Sequence, residues 1–309
     1  MSNIDNMSHI QFIRYILKVK NICKRVGNIV YYGILNIIVC ILIWLVLLIT
    51  TYDTFHVPSA SMFPTILPND CGVINKWRLG GRIFDVISAV KGDNCRIYRL
   101  PGYSELKRGD IIIFNGTAPK NWDTLRLDMK RYYCKRAVAV SGDTLEVIDG
   151  FYRIRGYSKI IGNIAEQEKL KKLSDYYRNH TSEGTDFPHW FYCAPYDTAF
   201  NWRIDSMGPL VIPAKGMRVK MDRHNFGLYR KYIEYETMGI VEWKNGNVLI
   251  DGKKRSVYTF QENYFFAAGD FVSDSQDSRY WGLVPEKHIV GVACFIWKSP
   301  LRRRYFHKL

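Results

Sequence analysis

The sequence predicts a mostly β protein: a single N-terminal transmembrane helix, then an exported antiparallel β domain carrying an inserted, less regular β-rich subdomain. Three observations predict it. Residues 29–50 form an uncharged run, short β-branched runs between glycine-containing turns recur after it, and only one later segment reads as a helix.

The uncharged run, "IVYYGILNIIVCILIWLVLLIT", covers 22 positions with Asn36 as its only strongly polar side chain. As a helix it reaches about 33 Å, enough to cross the hydrocarbon core of a bilayer. A cleaved leader has an apolar region of about 7–15 residues, so this length predicts a retained anchor. Ahead of it stand Arg14, Lys18, Lys20, Lys24 and Arg25 against one acid, Asp5. This asymmetry puts residues 1–28 in the cytoplasm as a basic tail. Everything beyond about residue 51 then lies on the outer face, periplasmic or extracellular. No later stretch approaches 18 apolar residues, so one span is expected, with the lipid bilayer as a partner.

Beyond the anchor, "GDIIIFNG" (109–116) is an apolar run closed by glycines, and "KRAVAVSGDTLEVIDGFYRI" (135–154) reads as three strands broken at Gly142-Asp143 and Asp149-Gly150. "NVLIDGKKRSVYTF" (247–260) carries a hairpin at Asp251-Gly252. "YFFAAGD" (264–270) and "HIVGVACFIW" (288–297) complete the set. "IAEQEKLKKLSDYYRN" (164–179) is the one exported helix expected, and an aromatic-rich irregular stretch follows over 186–206. The resulting division is 51–154 and 246–309 as a β core, with 155–245 inserted. The tail "KSPLRRRYFHKL" is a basic run with aromatics, read as solvated, with contact to anionic headgroups as the alternative.

A composition of 47% apolar and 24% charged residues is that of a folded protein. The net charge of +15 allows nucleic acid or an anionic surface as a partner. An anchored, exported domain excludes nucleic acid. The seven cysteines (23, 40, 71, 95, 134, 193, 294) form no zinc-like spacing with each other or with histidine, so no metal or other cofactor is expected. Five of them lie beyond the anchor, an odd number that argues against a fully paired framework and leaves room for one bridge.

The candidate chemistry lies in "VPSASMFPTILPND" (57–70). Ser59 and Ser61, two apart in an extended segment, face the same way, so one could attack while the other helps hold an oxyanion. Pro58 and Pro64 restrict the backbone on both sides. A serine needs a base. His56 would sit about 16 Å from Ser61 along an extended chain and point away. Nothing marks His224 or His288 as catalytic. A lysine drawn into apolar surroundings is the other option, and Lys135 opens the apolar strand "AVAV". The residues alone leave both the nucleophile and the base open.

The pieces together resemble the bacterial type I signal peptidases, membrane-anchored serine proteases with a Ser–Lys dyad. "PSASMFPT" (58–65), "GDIIIF", "YCKRAVAVSGD" (133–143) and "GDFVSDSQDSRYWG" (269–282) match that family's four motifs in order, and "GPLVIPAKG" (208–216) is also family-like. The resemblance covers essentially the whole chain, least clearly 155–245. It implies a catalytic β core with Ser61 as nucleophile and Lys135 as general base. The Ser59 hydroxyl and the Ser61 N–H would form the oxyanion hole. Ser275 would orient the lysine, Asp277 and Arg279 would support the site as an ion pair, and Arg136 and Asp270 would help from further away. Phe55, Val57 and Met62 would line S1 and S3 pockets for small residues at −1 and −3, with Cys134 at a usually aliphatic pocket position. The implied partners are signal-peptide-bearing preproteins, and the implied location is the bacterial cytoplasmic (inner) membrane. Oligomeric state is left open. Phe271 and Val272 stand where the family has Asn and Arg, which questions the support around Asp270. The competing expectations are a catalytically impaired relative acting as a membrane-anchored binding protein, and a self-cleaving Ser–Lys protease; the span and the tryptophan of the fourth motif speak against the latter.

Overall fold

A computed structural model describes residues 9–91, 95–117, 121–180, 187–301 and 305–309. The chain divides into two compact units, Met1–Ile49 and Thr50–Leu309. In the first unit, helix α1 (His9–Thr50) begins well before the uncharged run and includes the basic residues from Arg14 to Arg25. Its Phe12–Leu47 stretch is long and apolar enough to cross a membrane, the most apolar 18 residues within it having a mean hydropathy of 2.6 and no buried share.

The second unit is built on one antiparallel sheet. In chain order its strands are β1 (Tyr52–Val57), β2 (Asp70–Asn75), β3 (Ile111–Gly116), β4 (Asp128–Ala139), β5 (Tyr264–Ala268), β6 (Val284–Pro285), β7 (Ile289–Lys298) and β8 (His307–Lys308). In space the order is β1-β2-β7-β3-β4-β5-β6, with β8 beside β7. All six residues of β3 are buried, as in a central strand covered on both faces: Ile111–Phe114 are apolar, and Asn115 accepts from Arg82 at 2.8 Å. In β4 the character changes along the strand: Lys130 to Tyr132 are exposed, whereas Ala137 to Ala139 are buried. Lys135 stands where β4 enters the core. It is registered opposite Ile112 of β3, while Arg136 faces Ala268 of β5.

Two turns expected from Asp-Gly pairs form as hairpins. Asp149 and Gly150 have φ of 51° and 82° and join Thr144–Ile148 to Phe151–Ile154; Asp251 and Gly252 have 49° and 74° and join Asn247–Ile250 to Lys253–Arg255. Positive φ at both central residues is what a two-residue hairpin turn demands. The Gly142-Asp143 turn does something else: it hands the chain from the main sheet to a separate one in which Thr144–Ile148 pairs with Met207–Val211.

The 155–245 stretch contains α2 (Ile164–His180), where a helix was expected, with Asn163 accepting from the N–H groups of Ala165 and Glu166. It also contains a second helix that the sequence reading missed, α3 (Arg223–Thr237), N-capped by Asp222, whose carboxylate accepts from Asn225 N–H at 3.0 Å. Residues 155–245 share their core with the rest of the unit. One apolar cluster joins Leu170, Phe191, Tyr229 and Ile233 to Leu145 and Tyr152 and to Val138, Phe266 and Ala268 of β4 and β5. All seven cysteines are free, so the single possible bridge is not formed. Among the described residues no group of three His, Cys, Asp or Glu could hold a metal ion.

Candidate active site

Ser61 lies in the loop between β1 and β2. That loop is pinned from beneath by Met62, fully buried with Val57, Ile66, Ile111, Ala293 and Ile296. It is also held by its own backbone: Phe63 N–H donates to Ala60 O at 2.8 Å, Ile66 N–H to Met62 O at 2.9 Å, and Asn69 N–H to Val57 O at 2.7 Å. With the neighbouring Met62 side chain in the core, Ser61 is left half-exposed at the surface of the loop.

Ser61 Oγ is 2.6 Å from Lys135 Nζ, which comes from 74 positions further along the chain. Lys135 is only 3% exposed. Burial lowers its pKa below the ordinary lysine value, while Asp277 works in the opposite direction. Lys135 Nζ donates to Ser275 Oγ at 3.1 Å, and Ser275 Oγ donates to Asp277 Oδ2 at 2.8 Å. A hydroxyl has one hydrogen. Because Ser275 gives its hydrogen to Asp277, it can only accept from the amine, so a neutral Lys135 keeps its lone pair for the Ser61 proton.

Asp277 is itself fully occupied. Arg279 holds it in a two-pronged pair, Nε to Oδ1 at 2.8 Å and a terminal guanidinium nitrogen to Oδ2 at 2.7 Å, and Gly269 N–H donates to Oδ2 at 3.0 Å. Both partners are 0% exposed. Burial alone would raise the Asp277 carboxyl, but the Arg279 guanidinium outweighs it and holds the pKa below the usual carboxylate range. Gly269 is glycine for a steric reason: a Cβ there would lie 2.2 Å from Ser275 Oγ and 2.4 Å from Ser61 O.

Over residues 30–298 the chain matches the model of the signal peptidase family, peptidase S26. The chain belongs to this family. It is 25% identical over 273 residues to signal peptidase I of Buchnera aphidicola subsp. Baizongia pistaciae, covering 84% of this chain and 74% of that protein. It is 27% identical over 253 residues to signal peptidase I of Haemophilus influenzae, covering 80% of this chain and 64% of that protein. The corresponding values for signal peptidase I of Aquifex aeolicus are 26% over 267 residues, 84% and 81%. As a member of the signal peptidase family, the chain is a serine endopeptidase of the signal-peptide-removing class.

The remaining residues singled out in this signal peptidase divide by location. Ser59 Oγ is 3.3 Å from Ser61 Oγ, and among the described residues no acceptor engages the Ser61 N–H. A cavity of about 420 Å³ lies against Ser61 and Lys135; its walls include Phe55, Val57, Tyr133, Cys134, Asp274 and Gln276. His56 is exposed on β1 at the same cavity. Met62 is not among its lining residues and belongs to the packing beneath the loop. Burial pushes the Cys134 thiol up to about 12, so it is not a thiolate near neutral pH.

Arg136 grips Asp270 with Nε to Oδ1 at 2.7 Å and a terminal nitrogen to Oδ2 at 2.5 Å, and also donates to Gly109 O at 2.7 Å. Thr65 Oγ1, four residues after Ser61, donates to Asp270 Oδ2; the sequence reading had not singled it out. The two unusual residues are accommodated: Val272 is buried in the core, while Phe271 donates its N–H to Ser61 O at 3.1 Å and packs its ring edge-on against Phe63 at 5.9 Å.

Proposed function

We propose that the chain removes signal peptides from exported preproteins through a Ser61–Lys135 acyl-enzyme mechanism, cutting after small residues at −1 and −3. The 2.6 Å contact between Ser61 Oγ and a buried lysine amine is the observation that carries this reading. Neutral Lys135 takes the Ser61 proton as Oγ attacks the carbonyl carbon of the −1 residue. The C–N bond then breaks, Lys135 gives the proton to the leaving amine, and an ester links the signal peptide to Ser61. Water, deprotonated by Lys135, attacks that ester and restores both groups. The developing oxyanion accepts from the Ser61 N–H and the Ser59 hydroxyl. Ser275 and Asp277 orient the amine, Arg279 neutralises Asp277, and Arg136 with Asp270 ties β4 to the turn after β5. The cleavage region lies extended beside β1, with small side chains in the cavity walled by Phe55, Val57 and Cys134.

In this reading helix α1 spans the bacterial cytoplasmic membrane, its basic end in the cytoplasm and the catalytic unit on the outer face. The supporting observation is the cluster of five cations from Arg14 to Arg25 at one end of the apolar run. The deciding experiment is in vitro processing of a preprotein with N-terminal sequencing of the product. Ser61→Ala and Lys135→Ala are each expected to lose activity by at least about 10³-fold. Full activity in either variant refutes the dyad. A wild-type chain that binds the preprotein uncut supports an inactive relative.

A further inference from the structure

The segment that carries Ser275 and Asp277 continues into the short helix Ser278–Trp281, and the inserted segment grips the end of that helix from behind. Arg279 O accepts from Ala194 N–H at 2.8 Å, and Tyr280 Oη donates to Trp190 O at 3.0 Å. Trp281 O accepts from Lys231 Nζ at 2.8 Å, and Leu283 N–H donates to Tyr232 Oη at 2.8 Å. Gly282, the residue left between them, has φ of 88° and no room for a side chain: a Cβ would lie 2.2 Å from Tyr232 Oη and 2.7 Å from Lys231 Nζ. Lys231 also donates to Trp122 O at 3.0 Å, fastening the same point to the loop before β4.

At its other end the short helix is capped by Asp277, which bonds Ser275 and so reaches Lys135. A continuous set of hydrogen bonds therefore runs from Lys231 and Tyr232 on α3 through the helix to the amine. We propose that Lys231 and Tyr232 are positioning residues for the Ser61–Lys135 reaction, and that the inserted segment acts as a brace setting the 275–283 backbone. The inference rests on the dyad reading above.

Packing alone does not require these polar groups. Methionine would fill the volume of Lys231 without bringing an ammonium group out of water, and burial does lower this lysine, to about 8. Arg230 and Asp123 are the charged groups beside it, and Asp123 is bonded to Arg230 rather than to Lys231. Tyr232 is buried, and its ring stands 5.3 Å from that of Tyr264, so its hydroxyl is the part that reaches the signature segment.

The test is steady-state processing of a preprotein by the full-length enzyme across pH, with Lys231→Met, Tyr232→Phe and Lys231→Arg. Loosening the brace admits water to Lys135, whose charged neighbours are Asp277, Arg279 and Asp270, with the Cys134 thiol also beside it. The first two variants are expected to lose kcat by about 3–20-fold with KM within about twofold. Their acid limb of kcat should move up by about half a pH unit or more as desolvation of Lys135 is relieved. Lys231→Arg keeps a donor for both carbonyls and should recover most of kcat. Tyr232→Phe removes one oxygen and retains Lys231, whereas Lys231→Met lacks it, so a limb shift shared by the two is not the loss of the Lys231 titration. Wild-type kcat and an unmoved limb in folded variants overturn the brace, even if their melting temperatures fall. Ser61→Ala run alongside keeps the two readings apart: activity there removes the dyad, whereas inactivity there with wild-type behaviour in the α3 variants removes only the brace.

Discussion

In the proposed mechanism Lys135 acts as a base in its neutral form, and burial favours that form at the cost of stability. Its folded pKa lies below the ordinary lysine value of 10.5, chiefly through desolvation. Across the window between the two values the unfolded chain holds the extra proton, so stability rises with pH there and the contribution is unfavourable below it. Lys135→Met should therefore be inactive yet more stable at neutral pH, by about 1 kcal/mol or about 2–4 °C in Tm. A thermal melt checks this, and an unchanged or lower Tm contradicts it. In the wild type kcat/KM should climb with pH along a limb set by the lowered pKa of Lys135. Asp277 presents the opposite case. Removing its carboxylate by Asp277→Ala strands a fully buried Arg279 and should cost about 3–5 kcal/mol in denaturant unfolding.

Individual elements show what could be read ahead and what could not. The turns at Asp149-Gly150 and Asp251-Gly252 were legible because positive φ at two successive positions restricts the residues that fit. Strand β3 was legible because a central strand needs apolar residues on both faces. Helix α3 was not: its sequence, RHNFGLYRKYIEYET, includes Gly227 and several aromatic and β-branched residues of weak helix propensity. It forms because Leu228, Tyr229, Tyr232 and Ile233 bury one face, a tertiary gain invisible to local propensity. The Ser61–Lys135 pairing was invisible locally for a related reason, since only the sheet brings the two together; family resemblance supplied it. The bond from Thr65 to Asp270 escaped both routes. Two glycines at element ends separate turn geometry from site geometry. Gly252 has φ of 74° and open space around it, so Gly252→Ala should cost about 1–2 kcal/mol and leave kcat unchanged. Gly269 has no room, and Gly269→Ala should cut kcat/KM by at least about tenfold by displacing Ser275 or the Ser61 carbonyl. Unfolding curves and initial rates measured on both variants test the distinction.

For the whole molecule, the question is what the anchor adds to a catalytic unit that is compact by itself. Thr50–Leu309 forms one unit, so a chain beginning near residue 50 should fold and cleave a short soluble peptide at close to the full-length rate. Against a preprotein embedded in vesicles it should fall behind by about 10–100-fold, because tethering two reactants to one surface raises their effective concentration. Equal rates on both substrates would leave the helix without a kinetic role. The sheet order also sets when the enzyme can exist. Ser61 belongs to the β1–β2 hairpin and Lys135 to β4, and the strand that joins these two halves is β7, residues Ile289–Lys298. Sheet pairing between the hairpin that carries Ser61 and the strands that carry Lys135 therefore waits for a strand more than 220 positions beyond Ser61. In the proposed mechanism the two reacting groups are set in one sheet only after residues 289–298 have joined it.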